Sequence, residues 1–191
     1  MIKQLNPLYL QQETIDQIKE TFTQSSPHLL HLPHVFTMQF YEQLLKETQT
    51  SQGAHKRIAN KYAYTEINAP KESSHIHSKE FLSWLSGITS KKITRVSLST
   101  KQFSHRDYTL IHDSETVGER LEFFILTMKT WDNRWGGHTV YVSQEQQPIV
   151  FPLEGNSLSI IHKEKDRHKF IQYLNHYAGK EKITIIEGII D

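Results

Sequence analysis

Apolar residues in the first half of the chain recur with the period of an α-helix. Their spacing, near 3.6 residues, predicts amphipathic helices over residues 8–23, 37–50 and 78–86. Gly87 follows the third helix and is the residue type that commonly ends one. The polar positions on the other face predict that each helix packs one side onto a neighbouring layer.

Two segments of this half lack the helical period. Residues 28–36 carry several apolar side chains and are predicted as a short strand that leads into the second helix. Residues 51–78 are rich in Gln, Ser, Lys and His, so a long loop is expected there, with one strand near residues 62–67.

From residue 92 onward the pattern changes to alternation with a period of two and to β-branched residues. It predicts about eight short strands, near residues 93–98, 108–110, 121–128, 139–142, 149–151, 158–161, 170–174 and 183–190. Helices followed by eight strands predict an α+β fold, a jelly roll (double-stranded β-helix) with N-terminal helices packed on one sheet. We expect one domain over residues 1–191, in which 1–90 form helical support and 91–191 the jelly-roll core.

The charge balance narrows the classes of partner. Lys and Arg number 22 and Asp and Glu number 21, a net charge of about +1, so nucleic acid and anionic membranes are not expected as partners. No stretch is apolar and long enough to span a membrane, and the first residues lack the apolar core of a signal peptide. A soluble, cytoplasmic protein is therefore expected. Cys is absent, so a transition-metal site would have to use His, Asp or Glu.

Five segments carry a resemblance to a known family. Residues 103–114 run from an aromatic residue through a turn and Asp-Tyr to a His, and residues 120–126 form an apolar strand. A Trp…Trp-Gly-Gly turn follows at residues 131–137. Residues 182–185 continue the order of segments found in one family, and residues 81–88 correspond to the segment that precedes the barrel in that family. Together they resemble the prolyl hydroxylase-like iron(II)/2-oxoglutarate oxygenases, from about residue 27 to the end of the chain.

The resemblance implies an iron(II) site made of two His and one carboxylate. His112 corresponds to the first ligand. His168 is expected to be the distal ligand, with His162 as the competing candidate and His176 as a more distant one.

Ser114 stands where the family has its carboxylate ligand. One interpretation is that Asp113 or Glu115 supplies the carboxylate, and Asp113 is the preferred candidate. A second leaves the position open to an anion, as in halogenases of similar type. A third is that iron binding is lost and the jelly roll is retained as a binding module.

The cosubstrate 2-oxoglutarate is expected to be held by three side chains. The resemblance implies that Lys182 binds its far carboxylate where the family has Arg, that Thr184 assists, and that Tyr108 donates a further hydrogen bond. Each of two residues has an alternative interpretation that stays open. Lys182 would be a solvated residue at the start of an edge strand, and Tyr108 would be an aromatic residue of the core.

The expected function is that of an iron(II)/2-oxoglutarate-dependent dioxygenase. It would hydroxylate a prolyl residue, another amino acid or a small molecule, with succinate and CO2 as co-products. The alternatives are a non-catalytic jelly-roll binding module and a halogenase-like variant. Two further His patterns, His105-Arg106-Asp107 and His75-Ile76-His77, are interpreted as a turn and a polar loop.

Overall fold

Three α-helices form the first layer of the computed structural model, which describes residues 2–111, 118–144 and 146–190. They are α1 (Gln12–Gln24), α2 (Met38–Thr50) and α3 (Lys79–Thr89), close to the predicted ranges. α2 and α3 begin at hydroxyl caps, where Thr37 and Ser78 accept the otherwise unpaired N–H groups of the first turn. The prediction that Gly87 ends α3 is wrong: the helix continues to Thr89, because Ser90 takes the left-handed conformation that closes it.

The described residues form eleven β-strands. They are β1 (Leu29–Leu32), β2 (Gly53–Ile58), β3 (Tyr62–Ile67), β4 (Ser97–Phe103), β5 (Tyr108–Thr109), β6 (Arg120–Thr127), β7 (Thr139–Val142), β8 (Ile149–Val150), β9 (Ser157–Lys163), β10 (His168–Ile171) and β11 (Ile183–Ile190). Each of the eight strands predicted after residue 92 overlaps an observed strand. The largest differences are at β4 and β10, which were expected at residues 93–98 and 170–174. β3 has the bounds of the strand expected within the polar segment.

The strands form two antiparallel sheets. The larger has the order β1-β9-β6-β11-β4-β3-β2, with β5 paired to β3, and the smaller has the order β10-β7-β8. From β6 onward the chain alternates between the sheets: β6, β9 and β11 belong to the large sheet, and β7, β8 and β10 to the small one. This alternation is the arrangement of a double-stranded β-helix, so the predicted fold class is confirmed.

The central strands are buried on both faces. On β11, Ile186 and Ile190 pack against the helices, whereas Ile183 and Ile185 lie in a second apolar cluster between the two sheets. Because side chains of a strand alternate between faces, odd-numbered residues of β11 point to the interior between the sheets. This alternation decides which residues can reach a site inside the jelly roll.

The N-terminal half contributes strands as well as helices. β1 pairs with β9, and the β2–β3 hairpin extends the other side of the large sheet. β2 was expected to be loop. All six of its side chains are exposed, so it has no apolar alternation, and its backbone pairing with β3 defines it. In the described ranges no helix has the length and apolar character needed to cross a membrane.

Candidate functional site

A cavity of about 240 Å³ lies on the inner faces of the two sheets. Apolar and aromatic walls meet a charged floor at one end. The residues that line the cavity include Tyr62, Tyr64, Lys101, Phe103, Thr109, Arg120, Phe124, Lys169, Ile171, Ile185 and Glu187.

The floor is built around Lys169 on β10. Its ammonium group donates to Glu122 Oε2 at 3.0 Å and is also ion-paired with Glu187. Glu122 belongs to β6 and Glu187 to β11, so one cation from the small sheet bridges two carboxylates of the large sheet.

Glu122 is fully buried and held as a carboxylate. Arg120 Nε donates to its Oε1 at 2.6 Å, and the hydroxyl of Tyr141 donates to its Oε2 at 2.8 Å. Burial by itself would raise the pKa of Glu122, but the charges of Lys169 and Arg120, together with the hydrogen bonds from Lys169 and Tyr141, lower it to about 2. Glu122 is therefore ionised at neutral pH.

Glu187 has a second cation of its own. Lys101 Nζ donates to its Oε2 at 2.9 Å and lies 5.6 Å from the centroid of the Tyr64 ring. The floor thus links three strands of the large sheet to β10 through alternating charges.

The structure places His168 on the other face of β10. Lys169 and Ile171 line the cavity, and the alternation of the strand turns His168 and Phe170 away from it. The competing candidates also lie elsewhere. His162 is 3.1 Å from Glu119 Oε1, its ring stacks near His28, and burial is the main cause that lowers its pKa. His176 is exposed beside Tyr177.

The residues predicted to hold 2-oxoglutarate also lie outside the cavity. Lys182 is exposed, and its Nζ donates to Gln102 Oε1 at 3.0 Å. Thr184 is buried on the helix-facing side, where Gln102 Nε2 reaches both its hydroxyl and the Thr48 carbonyl of α2. Tyr108 packs against Tyr173 in a shallow surface groove, although its neighbour Thr109 lines the cavity.

The remaining predicted iron ligands, His112 and Asp113, lie outside the described residues, as do Ser114 and Glu115. The two other His patterns have structural roles. Asp107 accepts from the backbone N–H and the hydroxyl of Ser104, both at 2.9 Å, and so closes a turn. The polar loop expected at residues 75–77 is instead the end of a 3₁₀ helix, Lys71–His77, in which Ile76 is buried and His75 contacts Gln4 and Glu72.

A family model described as the C-terminal degradation domain of oxoglutarate- and iron-dependent oxygenases matches residues 49–187. The chain belongs to this family. The resemblance inferred from the sequence is therefore confirmed, and the family is one that depends on iron and 2-oxoglutarate.

Two curated relatives of this oxygenase-family chain are prolyl 3-hydroxylases. The chain is 29% identical over 93 residues to prolyl 3-hydroxylase OGFOD1 of Xenopus laevis, a match that covers 44% of this chain and 18% of that protein. It is 26% identical over 72 residues to the Mus musculus protein, covering 36% and 13%. The matches thus span less than a fifth of either relative.

Solved structures share the fold at low identity. A prolyl hydroxylase of Trichoplax adhaerens, in complex with a peptide fragment of hypoxia inducible factor, superposes with a TM-score of 0.67 at 10% identity, covering 94% of this chain and 91% of that one. A 2-oxoglutarate-iron(II) oxygenase family protein of Burkholderia pseudomallei gives 0.68 at 8% identity, covering 93% and 90%.

The described residues of this oxygenase-family chain do not fit iron. Across residues 2–111, 118–144 and 146–190, no group of three His, Asp or Glu side chains could hold a metal ion. The inward position next to the expected distal ligand is Lys169, whose ammonium group neutralises the two carboxylates and would repel a cation. The cavity floor is thus charge-compensated without a metal.

The charged floor was not predicted from the sequence. The sequence does contain an indication of it, because Glu122 and Glu187 interrupt strands that are otherwise largely apolar. A carboxylate in the middle of a buried strand needs a buried cation, and Lys169 is an inward-facing candidate. The family resemblance pointed to its neighbour His168 instead.

Proposed function

We propose that this chain is a double-stranded β-helix domain of a 2-oxoglutarate- and iron(II)-dependent oxygenase of the prolyl hydroxylase type. The whole protein would hydroxylate a prolyl residue of a polypeptide, with succinate and CO2 as co-products. Hydroxylation of another amino acid or a small molecule is the broader form of this proposal. Its support is the family match over residues 49–187 and the prolyl 3-hydroxylase names of the relatives.

Within such a protein, we propose that this domain recognises a ligand and leaves the iron to another site. The observation that carries this proposal is the bridge from Lys169 to Glu122 and Glu187. A cation between two buried carboxylates satisfies both of them, so neither is available as a metal ligand. His168 faces away from the cavity, which supports the same conclusion.

The competing function is an iron site within this domain, made by His112, Asp113 and His168. It requires β10 to shift its register by one residue, because such a shift would turn His168 inward and Lys169 outward. A halogenase-like site with Ser114 in place of the carboxylate would need the same shift.

Anaerobic titration of the metal-free chain with iron(II) and then 2-oxoglutarate separates the two functions. The measured signal is the weak visible charge-transfer band of a chelated 2-oxoglutarate–iron complex. We expect no band from the folded chain, and none from His168→Ala or His112→Ala.

A band in the unaltered chain that both His variants abolish would overturn the recognition role and support the iron site. Assay of iron-dependent succinate formation with a proline-containing peptide then tests the hydroxylation proposal separately.

A further inference from the structure

We infer that the cavity between the sheets binds a carboxylate carried on a small apolar group. This inference rests on the proposed ligand-recognition role and names the chemical class of the ligand. Because it needs neither iron nor 2-oxoglutarate, its failure in the benzoate titration is separate from the outcome of the iron titration. The class of ligand follows from which hydrogen-bonding groups the floor has already used, from what the walls are made of, and from the size of the space.

The acceptors of the floor are occupied. Glu122 Oε1 accepts from Arg120, and Glu122 Oε2 accepts from Tyr141 and Lys169. The two oxygens of Glu187 are taken by Lys169 and Lys101, respectively. A ligand that brought a cation or further donors would therefore compete with existing partners, whereas a ligand that brings acceptors would not.

The donor for such a ligand is Lys101. Its ammonium group has three N–H bonds, and its hydrogen bond to Glu187 uses one of them. Its side chain keeps 27% of its surface exposed at the cavity. Tyr64 lies next to it and carries a phenol on the same wall. An ammonium group with unused N–H donors is suited to a carboxylate, because charge-assisted hydrogen bonds are the strong ones.

The other walls require an apolar body on the ligand. Phe103, Phe124, Ile171 and Ile185 line the space, and all four are buried. An apolar cavity of about 150 Å³ accommodates a benzene molecule. The volume here, about 240 Å³, therefore has room for a ring of that size together with a carboxylate.

Calorimetric titration of the full chain in EDTA tests the inference, with benzoate as the probe and neutral benzamide as its isostere. We expect saturable one-to-one binding of benzoate, and binding of benzamide at least roughly tenfold weaker, since only benzoate forms the charge-assisted bond. Lys101→Met should weaken benzoate binding at least roughly tenfold. Tyr64→Phe should weaken it less, because the ring remains.

Lys46→Met is the matched control, because Lys46 is exposed on α2 and distant in the fold from the cavity floor. It should bind benzoate like the unaltered chain. Far-ultraviolet circular dichroism of each variant establishes that it is folded, and Tyr64→Phe keeps the test informative if Lys101→Met unfolds.

Comparison of benzoate with N-acetyl-phenylalanine distinguishes a free acid from the carboxyl end of a polypeptide. Tighter binding of benzoate supports the inference with a free acid as the ligand, and tighter binding of N-acetyl-phenylalanine supports it with the carboxyl end of a polypeptide as the ligand. The inference is overturned by absence of binding up to about 10 mM, by equal binding of benzamide, or by unchanged binding in both cavity variants. Benzoate binding that appears only with iron(II) would also overturn it, and would favour the iron site instead.

Discussion

Lys169 Nζ lies 3.0 Å from Glu122 Oε2 and joins the small sheet to the large one inside the jelly roll. Glu187 completes the bridge on the neighbouring strand β11. In this domain a side-chain cation therefore makes the cross-link between the sheets. The charges compensate one another, so removal of a single partner leaves an uncompensated charge in a buried site.

Replacement of the bridging cation should destabilise the fold strongly. Lys169→Met leaves Glu122 and Glu187 facing each other without their shared partner, and we expect a loss of about 3–5 kcal/mol in the free energy of unfolding. Urea unfolding monitored by tryptophan fluorescence measures it. Lys165→Met, an exposed change in the adjacent turn, should cost less than about 0.5 kcal/mol. Equal stability of the two variants would contradict a structural role for the bridge.

Low pH should lower the free energy of unfolding, because Glu122 becomes protonated. Its folded pKa of about 2 lies below the ordinary Glu value of 4.5, so the stability it contributes is present above about pH 5 and is lost as the pH falls towards 2. The contribution is on the order of 3 kcal/mol. Unfolding free energies measured between pH 7 and 3 should fall less steeply in Glu122→Gln than in the unaltered chain. Parallel pH profiles would count against the depressed pKa.

Gly188 permits close contact between β11 and the ring of Phe123. An added Cβ at Gly188 would overlap that ring, so Gly188→Ala should destabilise by about 1–3 kcal/mol. Gly118→Ala is the control, because none of the described residues lies within 4 Å of an added Cβ there. Phe123→Leu combined with Gly188→Ala should recover part of the loss relative to the sum of the single changes. Thermal unfolding of the unaltered chain, the three single variants and the double variant makes this comparison.

The Trp-Gly-Gly turn depends on Gly136. Its φ is +85°, its carbonyl accepts from Trp131 Nε1 at 3.0 Å, and an added Cβ would overlap the carbonyl of Tyr173. Gly136→Ala should therefore cost more than about 2 kcal/mol, since strain and overlap add. Gly179→Ala also places Ala at positive φ but meets no neighbour, so it should cost less. Equal losses in the two variants would show that the overlap is unimportant.

The strands and the family could be read from the sequence because both depend on local order. The spans expected for β7 and β11, residues 139–142 and 183–190, match the structure, since both segments are short runs rich in β-branched and aromatic residues. β2 was missed because its six side chains are all exposed and carry no alternation. The Trp-Gly-Gly turn was found because its residue types are demanded by its backbone.

The sequence by itself determined the helices, the order of the jelly-roll strands and the alternation of side chains along each strand. It did not determine which set of alternating residues on β10 faces the cavity, because both sets contain a residue suited to a site: His168 in one and Lys169 in the other. The tertiary structure decided this, through the pairing of Lys169 with Tyr141 on β7 and the burial of Glu122 and Glu187 opposite it. A shift of one residue would reverse the choice, and no local pattern distinguishes the two registers. The two buried carboxylates, Glu122 and Glu187, distinguish the two registers, because they are stable only with a cation between them.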